Sequence, residues 1–172
     1  MYALVREFGT STNDERRDAV GALDDIAGDA THRHPVLHAR DDGGALTVLL
    51  VDELPTDIPP STERYEVRLM AGTFAGTAAR VFTVQLRSGA LQQMVSAFQN
   101  FTMRVATGQQ GFRGGLLLVD AERDRVLSIG IWEDMARLEA SAASGYLADQ
   151  VSAYLPYFHQ TPTERRMRIL HP

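Results

Sequence analysis

The chain has 172 residues, 44% of them hydrophobic, which is enough for one core or for two small units that share one. A formal net charge of -5 without a basic stripe excludes a general nucleic-acid-binding protein, because phosphate contacts require clustered Lys and Arg. The lack of cysteine excludes disulfides and thiolate metal sites, and the lack of an apolar signal or spanning segment predicts no membrane contact and a cytoplasmic location.

The first part of the chain predicts a strand, a helix, a hairpin and a closing strand. Residues 2–8 read as a strand, and residues 11–15 offer Ser, Thr and acidic side chains for a helix start. Asp-Asp-Gly-Gly at 41–44 separates two apolar runs and predicts a tight hairpin, because glycine tolerates the positive φ of such turns. Residues 63–70 predict a fourth strand, and the small residues at 71–78 predict a linker.

The second part predicts the same kinds of element with an additional helical segment. Residues 80–86 alternate as a strand does, and apolar residues in 90–107 recur at helical spacing. Residues 111–132 predict a hairpin, which two short helices follow within 133–155. Residues 164–170 predict the last strand.

Two stretches of the sequence recur. Residues 62–70 return at 163–170, about one hundred positions later, and residues 45–54 run in phase with 126–135 at a shorter offset. The two offsets differ because the second half carries a helical segment after residues 126–135, and the first half lacks this segment after residues 45–54. The chain is therefore predicted to contain two related halves, of which the second keeps the whole unit.

The order strand, helix, strand, strand, helix, strand is the ferredoxin-like order. We therefore predict an α+β fold with a degenerate ferredoxin-like repeat at 1–70, a linker at 71–78 and a complete repeat at 79–172. Two such four-stranded sheets can pack face to face around an apolar cavity with helices outside. The prediction is a dimeric α/β barrel formed as a pseudo-dimer within one chain; if the second units of two chains pair instead, the protein is a homodimer.

The second half also carries a family resemblance. Gly-Phe-Arg-Gly-Gly at 111–115 is followed by a hairpin that ends in Ser-Ile-Gly-Ile-Trp-Glu at 128–133, a short helix and Ser-Gly-Tyr at 144–146. Over residues 79–170 the chain thus resembles the antibiotic biosynthesis monooxygenase superfamily of dimeric α/β barrels. That superfamily includes cofactor-independent monooxygenases of phenolic polyketide intermediates, haem-degrading monooxygenases and proteins of no known activity. The resemblance implies an oxidoreductase without a cofactor, whose partners are a small aromatic molecule and dioxygen.

Trp132 falls on the tryptophan of this family, and the resemblance implies that its indole N–H donates to a substrate oxygen or a peroxide. The alternative is an indole packed in the core. Strand alternation puts Ser128 and Gly130 on the same face, and Gly130 leaves empty space beside the ring. The polyketide-oxidising pattern has an asparagine four residues before the tryptophan and a tyrosine six after it, where this chain has Ser128 and Leu138.

The haem-degrading pattern fits the chain less well. It has an asparagine on the first strand and an axial histidine on the second helix, where the nearest residues here are Gln85 and Gln150. Without an imidazole at that helical position iron ligation is disfavoured, although His159 lies one short loop away. Gln85 lies on the strand face opposite the apolar residues that should meet the helices. We predict that Gln85 faces the cavity and acts with Trp132 as a catalytic residue.

The remaining candidates are substrate contacts. Arg113 could pair with an anionic substrate at the barrel mouth or lie on the surface, and Tyr146 could offer a phenol or pack at the rim. The predicted substrate-binding residues are Ser128, Gly130, Arg113, Tyr146, Gln150 and Phe98.

No metal site is predicted. His32, His34 and His38 lie close in sequence, but on an extended chain the last two are about 13 Å apart, too far to share one ion. Three functions stay open at this stage: a cofactor-independent oxygenase, a non-catalytic ligand-binding or structural barrel that lost its chemistry, and a polyketide cyclase.

Overall fold

The computed structural model describes residues 1–9 and 37–170. The helix predicted to start at 11–15, and the residues His32 and His34, lie outside this range.

The described residues contain eight strands and four α-helices. The strands are β1 (Tyr2–Phe8), β2 (Leu37–Asp41), β3 (Gly44–Val51), β4 (Glu63–Gly72), β5 (Ala78–Gln85), β6 (Phe112–Asp120), β7 (Arg125–Trp132) and β8 (Thr163–Ile169). The helices are α1 (Leu91–Ala97), α2 (Met103–Thr107), α3 (Met135–Ala143) and α4 (Tyr146–Tyr154). A π-helical turn, Phe98–Thr102, joins α1 to α2, and a 3-10 turn, Leu155–Tyr157, follows α4. These elements match the sequence prediction to within a few residues at each end.

The strands form one closed antiparallel barrel in the order β1-β3-β2-β8-β5-β7-β6-β4. The first four strands follow the spatial order β4-β1-β3-β2 and the last four the order β8-β5-β7-β6, which is the same ferredoxin-like order twice. The two sheets join where β2 meets β8 and where β4 meets β6. The predicted α+β fold, a pseudo-dimeric α/β barrel within one chain, is therefore confirmed. A homodimer of such barrels stays a prediction.

The two halves differ after their third strand. Residues 52–62, between β3 and β4, contain no helix, whereas residues 133–162, between β7 and β8, contain α3 and α4. Strand β4 extends to Gly72 and β5 begins at Ala78, so residues 73–77 connect the halves. The division into repeats at 1–70 and 79–172 stays a prediction.

The barrel interior is a packed apolar core. All eight strands contribute inward-facing side chains to it, among them Val5, Val81, Leu118, Ile129 and Met167, each at most 1% exposed. An eight-stranded barrel is just wide enough for side chains to fill it. The expectation that the two sheets enclose a cavity is therefore wrong, and the space for a ligand lies elsewhere.

The helices of the second half cover the outer face of its own sheet. Phe82 and Val84 of β5 point outward and pack with Met94, Phe98 and Tyr154 from the helical layer. This agrees with the predicted alternation of β5, in which these two side chains meet the helices. Within the described residues no helix is both long enough and apolar enough to cross a membrane.

Candidate functional site

A pocket, which we call the Trp132 pocket, lies between the outer face of the second sheet and the helices. Its central space is about 100 Å³ and it is partly open to solvent. The lining is predominantly apolar and aromatic, as is usual for small-molecule sites. The sheet side includes Arg80, Phe82, Phe112, Gly115, Ser128, Gly130 and Trp132, and the helical side includes Phe98, Thr102, Tyr146, Gln150 and Tyr154.

Two paired glycines form the floor of the pocket. Gly130 of β7 lies between Arg80 of β5 and Gly115 of β6 in the strand register. Because neither glycine has a side chain, the sheet surface is recessed there. A Cβ added at Gly130 would lie 3.4 Å from the Trp132 indole nitrogen, so the recess lies directly beside that N–H.

Trp132 is held firmly at one end of this floor. It is 3% exposed, packs with Ala78 and Leu138, and meets the Phe112 ring edge-on at 5.5 Å between centroids. In the described part of the chain no residue accepts a hydrogen bond from its Nε1. The indole therefore combines a fixed position with an unused donor, and such a donor normally finds a partner when it is buried.

Arg80 was not anticipated from the sequence. It is 5% exposed, and its Nη2 donates to the Leu138 carbonyl at 2.7 Å. The guanidinium carbon lies 5.6 Å from the centre of the Trp132 ring, within the range of a cation–π contact. Burial lowers the pKa of Arg80, and the nearby Glu164 carboxylate opposes this shift. Arginine nonetheless stays charged in proteins, so the apolar pocket contains a cation.

The helical wall carries a chain of hydroxyl and amide groups. The Thr102 hydroxyl is hydrogen-bonded to both the Gln150 Oε1 and the Tyr154 hydroxyl, and the Tyr146 hydroxyl donates to the Thr102 carbonyl at 3.1 Å. Gln150 is 5% exposed, and its Nε2 has no partner in the described residues. The wall thus presents one amide donor without an acceptor.

Both pocket tyrosines stay protonated at neutral pH. Burial, together with the neighbouring Tyr154, raises the pKa of Tyr146 to about 12, and Arg80 opposes part of this shift. Burial also raises the pKa of Tyr154, and the hydrogen bonds to Thr102 oppose this shift. The two phenols can therefore donate hydrogen bonds but do not act as bases near neutrality.

Most of the predicted site residues meet at this pocket. Those that line it are Trp132, Ser128, Gly130, Tyr146, Gln150 and Phe98. Their roles in binding or catalysis stay predictions.

Gln85 and Arg113 lie outside the pocket, which corrects their predicted placement. Gln85 ends β5, and its amide donates to the carbonyls of Arg123 and Asp124 at 2.7 and 3.2 Å, where it holds the β6–β7 turn. It does lie on the face opposite Phe82, but that face belongs to the packed interior. Arg113 is 44% exposed and pairs with Glu133 at 2.7 Å on the surface.

The histidines do not form a metal site in the described residues. His159 is exposed and does not line the pocket, and His38 contacts the Thr47 hydroxyl at 2.9 Å. No group of three or more His, Asp or Glu side chains there is placed to hold an ion.

No protein-family model matches the chain, and no curated protein does. Solved structures match it over nearly its whole length. A ferredoxin-fold protein from Listeria monocytogenes related to antibiotic biosynthesis monooxygenases is 11% identical, with a TM-score of 0.70 and coverage of 100% of this chain and 96% of the other. The chain shares the fold of these monooxygenase-related proteins.

Two further structures show how varied the proteins with this fold are. A haem-degrading enzyme from Listeria monocytogenes is 13% identical, with a TM-score of 0.68 and complete coverage of both chains. A protein described as a major regulator of staphylococcal pathogenesis is 13% identical, with a TM-score of 0.76 and coverage of 99% of each chain. Since one fold serves such different roles, function has to be argued from the pocket.

Proposed function

We propose that this protein is a cofactor-independent monooxygenase that oxidises a small aromatic, polyketide-like substrate in the Trp132 pocket. The observation that carries the proposal is the unused indole N–H of Trp132, which faces the recess above Gly130 in an apolar, aromatic-lined space. The family resemblance and the shared fold support the same reaction class.

In this reaction the substrate is its own reductant. Loss of a proton to solvent at the open side of the pocket turns an acidic anthrone into a carbanion, or a phenol into a phenolate. The anion passes an electron to dioxygen, radical recombination at carbon gives a peroxide, and loss of water leaves a carbonyl. The protein supplies a predominantly apolar pocket and a fixed N–H donor for the oxygen that develops negative charge. Trp132 is placed for that role because its ring is fixed by Phe112 and Leu138.

The size of the pocket limits how the substrate sits. An engineered apolar cavity of about 150 Å³ binds benzene, so a space of about 100 Å³ encloses at most one ring. The open side of the pocket would hold the rest of a fused ring system. This arrangement favours a substrate whose reacting ring enters first and whose further rings remain near the mouth.

Haem degradation has less support for this chain. No imidazole is found among the pocket-lining residues of the described part, and the enclosed space is about 100 Å³. The polar residue on the helical wall at the implied axial position is Gln150, a poor ligand for iron.

Oxygen uptake with a hydroxyanthrone tests the proposal. The native protein should consume dioxygen above the uncatalysed rate, and Trp132→Phe should lower kcat at least about tenfold, because the ring is kept while the donor is lost. Tyr2→Phe is the matched control: it removes a polar group from an aromatic ring outside the pocket and should leave kcat unchanged.

The outcomes separate the remaining functions. Unchanged turnover in Trp132→Phe would remove the indole from the mechanism. Binding of the anthrone without oxygen uptake would favour a ligand-binding barrel, and cyclisation of an open polyketide chain without oxygen would favour a cyclase.

A further inference from the structure

The charge of Arg80 is only partly compensated by its surroundings. Glu164 Oε1 lies 3.5 Å from Arg80 Nε, but the same oxygen lies 2.9 Å from Arg166 Nε. One carboxylate is thus shared by two guanidinium groups. In the described part of the chain this cluster carries one net positive charge, and Arg80 is its buried member, at 5% exposed.

The hydrogen-bonding capacity of Arg80 is also largely unused. A guanidinium has five N–H donors, whereas the described residues supply one hydrogen bond, from Nη2 to the Leu138 carbonyl. Its Nε is buried without a hydrogen-bond partner. In the described part of the chain the other Nη donors have no acceptor either. A ligand that brings acceptor oxygens to these Nη groups would gain charge-assisted hydrogen bonds.

The strand register places Arg80 where a ligand can reach it. Arg80 pairs with Gly130 on β7, so no side chain stands beside it on that strand, whereas it pairs with Arg166 on β8. Its guanidinium lies next to the Trp132 ring at the edge of the recess. On the opposite wall Gln150 also lines the pocket, and its Nε2 is buried without a hydrogen-bond partner in the described residues.

We propose that Arg80 binds the ionised group of an acidic aromatic substrate, so that the Trp132 pocket selects phenolates or aromatic carboxylates over neutral rings of similar size. This inference rests on the proposed function only in taking the Trp132 pocket as the substrate site. It assigns to Arg80 the anion contact that the sequence had suggested for Arg113.

Selection of the anion also prepares a phenolic substrate for oxidation. A positive charge beside a bound phenol stabilises its ionised form, and the proton passes to solvent at the open side of the pocket. Arg80 is then the residue that decides specificity, and Trp132 is the donor to the reacting oxygen.

Anaerobic binding of 4-nitrophenol tests the inference, because absorbance distinguishes its ionised from its neutral form. The native protein should bind the phenolate at least about tenfold more tightly than the phenol. Arg80→Met should reduce this preference to within about twofold. Arg113→Met, which removes an exposed arginine beside the pocket, should keep the preference of the native protein.

A comparison within the native protein covers the case in which Arg80→Met does not fold. The phenolate should bind at least about tenfold more tightly than the neutral 4-nitroanisole. Equal binding of the two, absence of binding by either, or an undiminished preference in folded Arg80→Met would overturn the inference. Displacement of the phenolate by benzoate, but not by benzamide, would extend the anion class to carboxylates.

The two proposals can fail separately. Because oxygen is absent, a preference for the phenolate would stand even if no oxygen uptake were found. Oxygen uptake that depends on Trp132 but not on Arg80 would overturn the present inference and leave the oxygenase intact.

Discussion

Gly130 shapes the pocket through the side chain it lacks. It lies between Arg80 and Gly115 in the register, and its missing Cβ leaves the space beside the Trp132 N–H. Its φ is not in the left-handed region, so alanine is sterically allowed at this position. The nearest atoms to an added methyl group would be Trp132 Nε1 at 3.4 Å and Phe112 Cε2 at 3.9 Å, which are ordinary contacts.

Gly130→Ala should therefore weaken ligand binding without unfolding the protein. The methyl group would occupy the recess beside the indole N–H. We expect at least about tenfold weaker binding of 4-nitrophenolate and a change of less than about 1 kcal/mol in the free energy of unfolding. Quenching of the single tryptophan measures binding directly, because that tryptophan is Trp132.

Gly108→Ala is the control for this substitution. It also adds one methyl group, but at an exposed helix end where the nearest atom would be the Val105 carbonyl oxygen at 3.5 Å. Its binding should match that of the native protein. Native-like binding by Gly130→Ala would show that the recess is not the ligand site.

Strand alternation and the family resemblance together predicted several of the residues that line the pocket. Ser128, Gly130 and Trp132 share a strand face, and that face does line the pocket. Arg80 was missed because the arginines of this chain alternate with acidic residues, a pattern that is typical of a solvated surface. One signal was available: Arg80 is two residues from Phe82 and so lies on the same face of the strand, and Phe82 was predicted to meet the helices.

At the scale of elements, Tyr146 connects α4 to the π-helical turn. Its hydroxyl donates to the Thr102 carbonyl, and its ring lines the pocket. In this turn the Met103 N–H bonds to the Phe98 carbonyl, five residues back, rather than to the usual fourth residue. Phe98 and Thr102, at the two ends of the turn, both line the pocket, which is a common setting for such turns.

The raised pKa of Tyr146 predicts a loss of stability at high pH. Its folded-state pKa is about 12, against about 10 for an unfolded tyrosine. The folded state holds the proton more tightly, so this contribution is complete below about pH 10 and is lost as the pH rises towards 12. Tyr146→Phe should show a smaller fall in the free energy of unfolding over that interval.

Denaturant unfolding at several alkaline pH values measures this effect. Tyr157→Phe, in the 3-10 turn outside the pocket, serves as the control for loss of one tyrosine. An identical alkaline fall in native protein and Tyr146→Phe would contradict the argument that burial in the pocket holds the Tyr146 proton.

The sequence predicted the helix at 90–107 from apolar spacing but not the π turn within it. The spacing of apolar residues shows which residues share a face of the helix. One additional residue in a single turn changes that spacing only locally, so the apolar pattern does not reveal the turn. Whether the helix accepts the wider turn depends on partners such as Tyr146, which are distant in sequence.

At the scale of the whole molecule, the barrel closes through two unequal seams. The register of β4 with β6 includes six residue pairs, whereas that of β2 with β8 includes two. The shorter seam is reinforced by Arg165, whose Nε and Nη2 donate to the two carboxylate oxygens of Asp41 at 2.6 and 2.9 Å. This bidentate pair joins the two halves of the chain.

Asp41→Asn should therefore destabilise the barrel by about 1–2 kcal/mol, as expected for a partly buried, bidentate charged contact. Arg165 holds the pKa of Asp41 below its usual value. The contribution of this pair is present above the unfolded pKa and is lost as the pH falls through the lower folded value. Thermal unfolding between neutral and acid pH should show a smaller acid-induced loss in Asp41→Asn.

Glu66→Gln is the matched control for the seam. Glu66 also pairs with an arginine, Arg68 at 3.0 Å, but both side chains are well exposed. Such surface pairs contribute less than about 1 kcal/mol. Equal stability of Asp41→Asn and Glu66→Gln would mean that the Asp41–Arg165 pair does not hold the seam.

The repeat in the sequence was sufficient to predict the pseudo-dimeric barrel, but it did not predict that the ligand pocket lies outside the barrel. Matching strands predict equivalent positions in two sheets, and pairing rules then allow a closed barrel. Whether the interior is filled depends on the volumes of inward-facing side chains from all eight strands, which only the register brings together. Strand alternation correctly identified the face of β5 on which Gln85 lies. It could not show that the space on that face is filled, and Gln85 was therefore predicted to face a cavity.

Both proposals require that an aromatic substrate binds beside Trp132, outside the barrel. A crystal structure of the protein soaked with a hydroxyanthrone under nitrogen tests it most directly. We expect a ring above Gly130, with a substrate oxygen within about 3.2 Å of Trp132 Nε1 and an ionised oxygen at Arg80. A ligand bound elsewhere, or a recess closed by side chains on both sides of the indole, would contradict it.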